Sequence, residues 1–475
     1  MKTRYFYIVI AGALSLAACK KSFLADAPPT AVPVSSAINS NSSMADAVNG
    51  MYSTMRMTSL FGRDIPVMGD LMADDIYISF SNSSKYLQEN NYTFNNITPE
   101  VIDIWTQGYY SILQANRIIN SSLPADATVN QLRGEAYTVR GLVYLELVNF
   151  FGTPATVNLN APGVPIVKSF TTPFIMPSRN TVGDVYNQII SDLDSAYNLM
   201  PATSIPSNFH ATNSEYIAKY AARAIEARAY LYKGDYTNAL AASLDVIQNG
   251  GYTLSAATAF NAYWANPAPQ AGKLETIFEL ALNTQTNNGT NGLDGIYSQS
   301  GFGDMLCTDP LYASYSATDV RKSLIVSGKR SAQPALIVNK YANYLLSTDK
   351  DDIKIIRYAE VLLTAAEAYA RTNDNTDALI YLNMVAQKRD PALLGYSSTG
   401  TTTISNILAE RQKELAFEGL RYFDLTRTNV AINRPVEPFG YTSIALIPVG
   451  DNRRLLPIPL AEINANGNVA QNPGF

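Results

Sequence analysis

The chain has 475 residues, with 40 acidic against 35 basic side chains and a net charge of -5. That balance argues against a nucleic-acid partner, because a phosphate backbone is gripped by a concentrated basic surface. One histidine, His210, rules out a multi-histidine metal centre, and the length predicts two or three lobes, or one extended helical assembly with insertions.

The first 18 residues predict a processing segment. Lys2 and Arg4 make a basic start, residues 5–16 an apolar run, and Leu16-Ala17-Ala18-Cys19 a small-residue cleavage site ending in cysteine. The apolar run is well short of the ~20 residues a spanning helix needs. Cys19 is the expected lipidation site, and more than one acyl chain there would tether the body stably. Cys307 then has no partner within the chain, so no disulfide framework is expected. Residues 19–43, rich in Ser, Ala, Pro and Asn, predict an extended tether.

A helical region is expected over residues 44–249. Residues 44–57 predict a short helix, residues 69–96 a polar loop with a brief strand, and residues 99–121 a helix with Pro99 in its first turn. Ile102, Trp105, Tyr109, Ile112 and Leu113 share one face of it, which assigns Trp105 to the core. Residues 129–150 and 182–200 predict two more helices around a Pro-rich excursion, 152–177. An internal echo follows. Ala227, Ala229, Tyr230, Gly234, Asp235, Ala239 and Leu240 reappear in register as Ala366, Ala368, Tyr369, Asn373, Asp374, Ala378 and Leu379. Small residues where two helices meet, a polar turn and a tyrosine for the next groove describe a tetratricopeptide-like pair. Residues 215–248 and 354–389 form the two clear pairs, and residues 44–121 and 129–200 two looser ones. The expected fold is therefore mainly α, four such pairs making a superhelical scaffold. Residues 250–352, rich in Asn, Gly, Ser, Thr and Tyr, predict a loop-rich insertion with short strands at 276–280 and 336–338.

Residues 353–430 are expected to hold the fourth pair and a C-terminal core helix, 405–429. In that helix Ile407, Leu408, Leu415, Leu420, Phe423 and Leu425 recur at helical spacing. Arg411, Glu414, Glu418, Arg421, Asp424 and Arg427 alternate in sign, which predicts a solvated ladder of weak pairs. The tail, 431–475, is expected to be irregular, with edge strands at 444–448 and 455–459.

The wording of the helix, ER, EL, FEG and R-x-FDL-x-R, resembles the core helix of the SusD/RagB family of outer-membrane nutrient-binding lipoproteins. Cys19-Lys-Lys-Ser-Phe23-Leu24-Ala-Asp26-Ala-Pro28-Pro29 resembles the start of that family. Leu456-Pro-Ile-Pro459 and Gln471-Asn472-Pro473-Gly474-Phe475 resemble its finish. The resemblance implies four helix pairs, binding without turnover, no cofactor, an outer-membrane lipid anchor facing the cell surface, an oligosaccharide ligand, and delivery to a TonB-dependent transporter of the SusC type.

Motifs for other chemistry are missing: G-x-S-x-G, a P-loop, G-x-G-x-x-G and paired C-x-x-C do not occur. A hydrolase needs only two carboxylates. Asp74 and Asp75 are adjacent, however, and neighbours in an extended strand point to opposite faces. Recognition by aromatic rings remains, since a sugar packs its C–H face on a ring and gives its hydroxyls to polar side chains. The chain has 30 tyrosines and two tryptophans, most of them needed for packing. The resemblance implies a ligand surface built from the loop inside the first helix pair and from the insertion. Those regions hold Asp74, Asp75, Tyr77, Phe80, Tyr86 and Asn91, and Trp264, Tyr263, Tyr297, Phe302 and Tyr312. Trp264 ranks first, in a Pro-rich loop between Tyr263 and Asn266. Two rival readings are a tetratricopeptide-type protein scaffold without sugar binding, and a glycoside hydrolase.

Overall fold

Eight helices stack in chain order, each against the next: Asn41–Arg56 (α1), Pro99–Ile119 (α2), Ala127–Phe151 (α3), Val182–Leu199 (α4), Lys219–Lys233 (α5), Tyr236–Asn249 (α6), Tyr358–Arg371 (α7) and Asn375–Arg389 (α8). Taken two at a time, they are the four pairs expected. The structure is a computed structural model and describes residues 37–169, 175–202, 213–272, 274–348, 350–397 and 399–475. The expected signal segment, Cys19 and His210 lie outside those residues. Among the described residues no helix is long and apolar enough to cross a membrane.

The internal echo has a local cause. Gly234 (φ 82) and Asn373 (φ 68) turn the backbone left-handed at the ends of α5 and α7. The aspartate that follows each caps the next helix, Asp235 accepting from the Asn238 N–H at 3.2 Å and Asp374 from the Asp377 N–H at 3.1 Å. A left-handed stop and an acidic cap are what a tight helix reversal needs.

The insertion is joined to the array by β-sheet. Ile76–Ile78 (β1) comes from the loop inside the first pair; Thr276–Leu280 (β2), Met305–Cys307 (β3), Ile325–Arg330 (β4) and Gln333–Val338 (β5) come from the insertion. Ile353–Arg357 (β6) runs directly into α7. One antiparallel sheet has the order β1-β3-β5-β4, and β2 pairs with β6. The expected strand at 276–280 is present and the one at 336–338 starts earlier, at Gln333. In the tail Leu446–Ile447 pairs with Ile432–Asn433, and residues 455–459 form no strand. The polar stretch 69–96, expected to be loop, also holds the end of a helix, Asp64–Leu71, and a short one, Leu87–Asn91.

The helix expected over 405–429 is broken in two, Thr401–Leu415 (α9) and Arg421–Arg427 (α10). Phe417 (φ 68) and Gly419 (φ 79) take left-handed backbone between them. A Cβ on Gly69 would fall 1.9 Å from the Gly419 carbonyl oxygen, so two backbones touch there and a side chain has no room. The Gly419 N–H donates to Asp70 at 2.9 Å, fixing the turn.

The charges of this segment are not a solvated ladder, because most of them are buried. Arg357, at the end of β6, meets Glu275 at 2.6 Å and Glu414 at 2.8 Å; Arg389 of α8 meets Glu414 at 3.0 Å; Arg321 meets Glu410 at 2.7 Å and Glu414 at 3.1 Å. Lys340 reaches Glu418 at 2.7 Å. Beside this group Arg411 pairs with Asp424 at 3.0 Å and Arg427 with Glu367 at 2.7 Å. Burial alone would raise the Glu414 carboxyl, yet Arg389, Arg357 and Arg321 together hold it below the usual carboxylate range. Buried ions persist only where every partner is in place, so this network fixes how β6, α8 and α9 meet.

Candidate functional site

A cleft of about 250 Å³ opens where β1 leaves the sheet. Ile76 and Ile78 point inward and are buried, as strand alternation requires. The Ser79 N–H donates to the Asp304 carbonyl at 2.9 Å, and the Phe80 N–H to the Phe439 carbonyl at 2.9 Å. The chain is thus pinned on both sides while the Phe80 ring stays 77% exposed and Phe439 39%. Arg330 and Gln333, at the tip of the β4–β5 hairpin, line the same cleft.

Asp304 organises the rim. Its carboxylate is buried and accepts from the Ser83 N–H at 3.1 Å, the Ser83 hydroxyl and Arg330 Nη2 at 3.1 Å. Arg330 Nε also donates to the Ser81 carbonyl at 3.0 Å. The hairpin turn, Ser331 (φ 47) and Ala332 (φ 70), is left-handed at both residues. That geometry matches the twist of a two-residue hairpin, but without glycine it costs about 1–2 kcal/mol per residue. The Ser331 hydroxyl donates to Ser81 Oγ at 2.7 Å, tying the strained tip to the Phe80 loop. The result is a preformed recess with two uncovered rings, a guanidinium, an amide and hydroxyls at its edge. Among the described residues that line it there is no carboxylate.

The expected ligand residues divide. Trp264, ranked first, is 3% exposed: its ring packs with Phe260 and Tyr263 and lies under Lys340 at 4.2 Å, Lys354 at 5.1 Å and Arg357 at 5.1 Å. It is a core residue, held by cation–π contacts, and not a loop aromatic facing solvent. Tyr263 is buried with its hydroxyl bonded to Thr276 at 2.7 Å, and Tyr297 is buried and stacked on Tyr341 at 5.7 Å. Tyr86 is buried too, taking a bond from Arg63 Nε at 2.6 Å and giving one to Asp64. Asp75 is buried against Gln412 at 2.8 Å, and its carboxyl is pushed up to about 7 by burial and by Asp74 beside it. These five face inward because each found a partner within the chain.

Asp74, Tyr77, Asn91, Phe302 and Tyr312 stay half-buried. Arg421 holds Asp74 by two bonds, at 2.7 and 2.9 Å, while Lys85 covers the Phe302 ring at 4.7 Å and Lys322 that of Tyr312 at 4.6 Å. None of the five lines the Phe80 cleft. Trp105 is in the core as expected, against Phe151 at 5.0 Å. Phe439, Arg330 and Gln333 were not foreseen. The only trace of Phe439 in the sequence is an aromatic between Pro438 and Gly440 in a tail without apolar period. Among the described residues no group of three or more His, Cys, Asp or Glu side chains could hold a metal ion.

Residues 335–475 match the SusD family, and residues 22–231 match the family described as starch-binding, associating with the outer membrane. SusD-like protein P2 of Formosa agariphila is 27% identical over 522 residues, covering 97% of this chain and 98% of its own. A solved structure from Bacteroides vulgatus is 30% identical with a TM-score of 0.83, covering 92% of this chain and 99% of that one. A SusD superfamily protein from Bacteroides thetaiotaomicron is 28% identical with a TM-score of 0.83, covering 91% and 100%. With both ends of the chain matched and the fold shared along nearly its whole length, this chain belongs to the SusD/RagB family.

Proposed function

We propose that this chain is a lipid-anchored protein of the outer membrane that binds an oligosaccharide at the cell surface and delivers it to a TonB-dependent transporter of the SusC type. The observation that carries the reading is the Phe80 cleft: two rings left uncovered beside Arg330 and Gln333 in a recess that Asp304 holds open. Flat apolar faces with a few fixed polar groups are what a sugar needs, a ring for its C–H face and donors and acceptors for its hydroxyls. The family's description as starch-binding and associated with the outer membrane supports the same ligand class. The Leu16-Ala17-Ala18-Cys19 site supports the anchor. In this reading the helical array faces the transporter and the insertion faces the ligand.

Isothermal titration against a glycan panel tests the proposal. At least one glycan binds, and Phe80→Ala weakens it by about tenfold or more, the scale of one lost stacking contact. No binding across the panel, or a Phe80→Ala variant that binds like the parent, overturns it.

A further inference from the structure

Arg330 closes the β4–β5 hairpin opposite Gln333 and lines the cleft beside Phe80. A guanidinium carries five N–H donors in a rigid planar fork. At Arg330, Nε donates to the Ser81 carbonyl at 3.0 Å and Nη2 to Asp304 at 3.1 Å, while Nη1 makes only a long contact with Gln299 at 3.4 Å. Among the described residues, one N–H on each Nη nitrogen is left without an acceptor.

The pair that Arg330 makes with Asp304 is one-sided. Asp304 is fully buried, and its oxygens accept from the Ser83 N–H, the Ser83 hydroxyl and Arg330. The Arg330 side chain keeps 18% exposure and forms part of the cleft wall. The negative end of the pair is therefore sealed, and the positive end is the one a ligand can touch. The same bonds hold the fork still. With Nε tied to Ser81, the residue after Phe80, and Nη2 tied to Asp304, a ligand meets the guanidinium without the entropic cost of ordering a long side chain.

We propose that the ligand is an acidic glycan, and that Arg330 receives an anionic group of the sugar, a uronate carboxylate or a sulfate, beside the ring that Phe80 offers to the sugar's C–H face. This rests on the glycan reading of the cleft and adds to it the charge class of the ligand. A neutral hydroxyl occupies one donor, whereas an anion has oxygens for both that remain. Charge-assisted bonds of this kind are roughly twice as strong as neutral ones.

The test is titration of the whole chain with matched pairs: uronate-bearing xylo- and galacturono-oligosaccharides against their methyl esters, and sulfated galacto-oligosaccharides against the desulfated ones. In at least one pair the acid binds about tenfold or more tighter than its neutral twin. That ratio shrinks as salt rises from about 20 to 500 mM, because the charge is screened. The two kinds of pair tell carboxylate from sulfate. Arg330→Gln brings the ratio to about one. It also leaves Asp304 buried without its cation, so the double variant Arg330→Gln, Asp304→Asn repeats the measurement with no unpaired charge; a melting curve checks each fold, and should the single variant melt early, the double variant decides. Equal affinity for acid and twin, a preference for the neutral twin, or an acid preference that survives the substitution overturns the inference and leaves the glycan reading standing. Failure of every glycan, acidic and neutral, to bind sinks the glycan reading itself.

Discussion

Trp264 and Phe80 were candidates for the same task, and the fold treats them in opposite ways. Trp264 is sealed under Lys340, Lys354 and Arg357, and each of those cations reaches a carboxylate, Glu418 at 2.7 Å, Glu279 at 3.3 Å and Glu414 at 2.8 Å. Phe80 projects from a loop whose own hydrogen-bonding groups are satisfied from below, by Asp304 and Arg330, and among the described residues its ring stays 77% exposed. A ring in a polar loop is therefore not a ligand contact by virtue of its neighbours in sequence. What decides is whether the chain itself brings a partner to the ring's face.

Substitutions break that contrast to different degrees. Glu414→Gln is the most severe, because Arg357, Arg389 and Arg321 all lean on that one charge; we expect a loss of about 3–5 kcal/mol in chemical denaturation. Trp264→Ala empties a buried site and removes the ring on which three cations pack, with an expected loss of about 3 kcal/mol and no change in glycan affinity for the protein that stays folded. A Trp264→Ala variant that kept its stability and lost its ligand would reverse the assignment of the two rings.

Asp75→Asn should act with the opposite sign. Burial first, and Asp74 next, raise the Asp75 carboxyl to about 7, against ~4 in the unfolded chain. Between those values the folded state binds more protons, so stability falls as pH rises from about 4 to 7. Asparagine can still accept from Gln412 and carries no charge. The variant should be more stable than the parent by ~1–2 kcal/mol at pH 8, and the difference should vanish towards pH 4 in paired denaturation curves. Asp424 runs the other way: burial would raise it, but Arg411 and Arg427 hold it at about 2, so its contribution is present above pH ~4 and lost as pH falls towards 2. The smallest effect on stability is that of Phe80→Ala, below about 0.5 kcal/mol in the same assay, since the ring packs on little.

The array was legible because its signals are local. Alanines at helical spacing, the Gly234-Asp235 and Asn373-Asp374 turns and the apolar face of α2 act within a few residues of themselves. The break between α9 and α10 was not legible, because period and charge continue through it; Gly419 is forced into its turn by contact with Gly69, from the far end of the chain. The ligand-facing residues were hidden for the same reason. Asp304 meets Ser83 and Arg330 only once β3 lies beside β1, and Phe439 reaches Phe80 only when the tail folds back over the sheet.

The rim of the Phe80 cleft comes from three short stretches, the loop after β1, the β4–β5 tip and the tail turn at 438–440, and none of them lies in the stacked helices or in the ion-pair network. Such a rim is a replaceable cassette. Exchanging the three stretches together, with Asp304 kept as their common clasp, should transplant the taste of one relative onto the body of another, whereas moving any one alone would leave the clasp half closed.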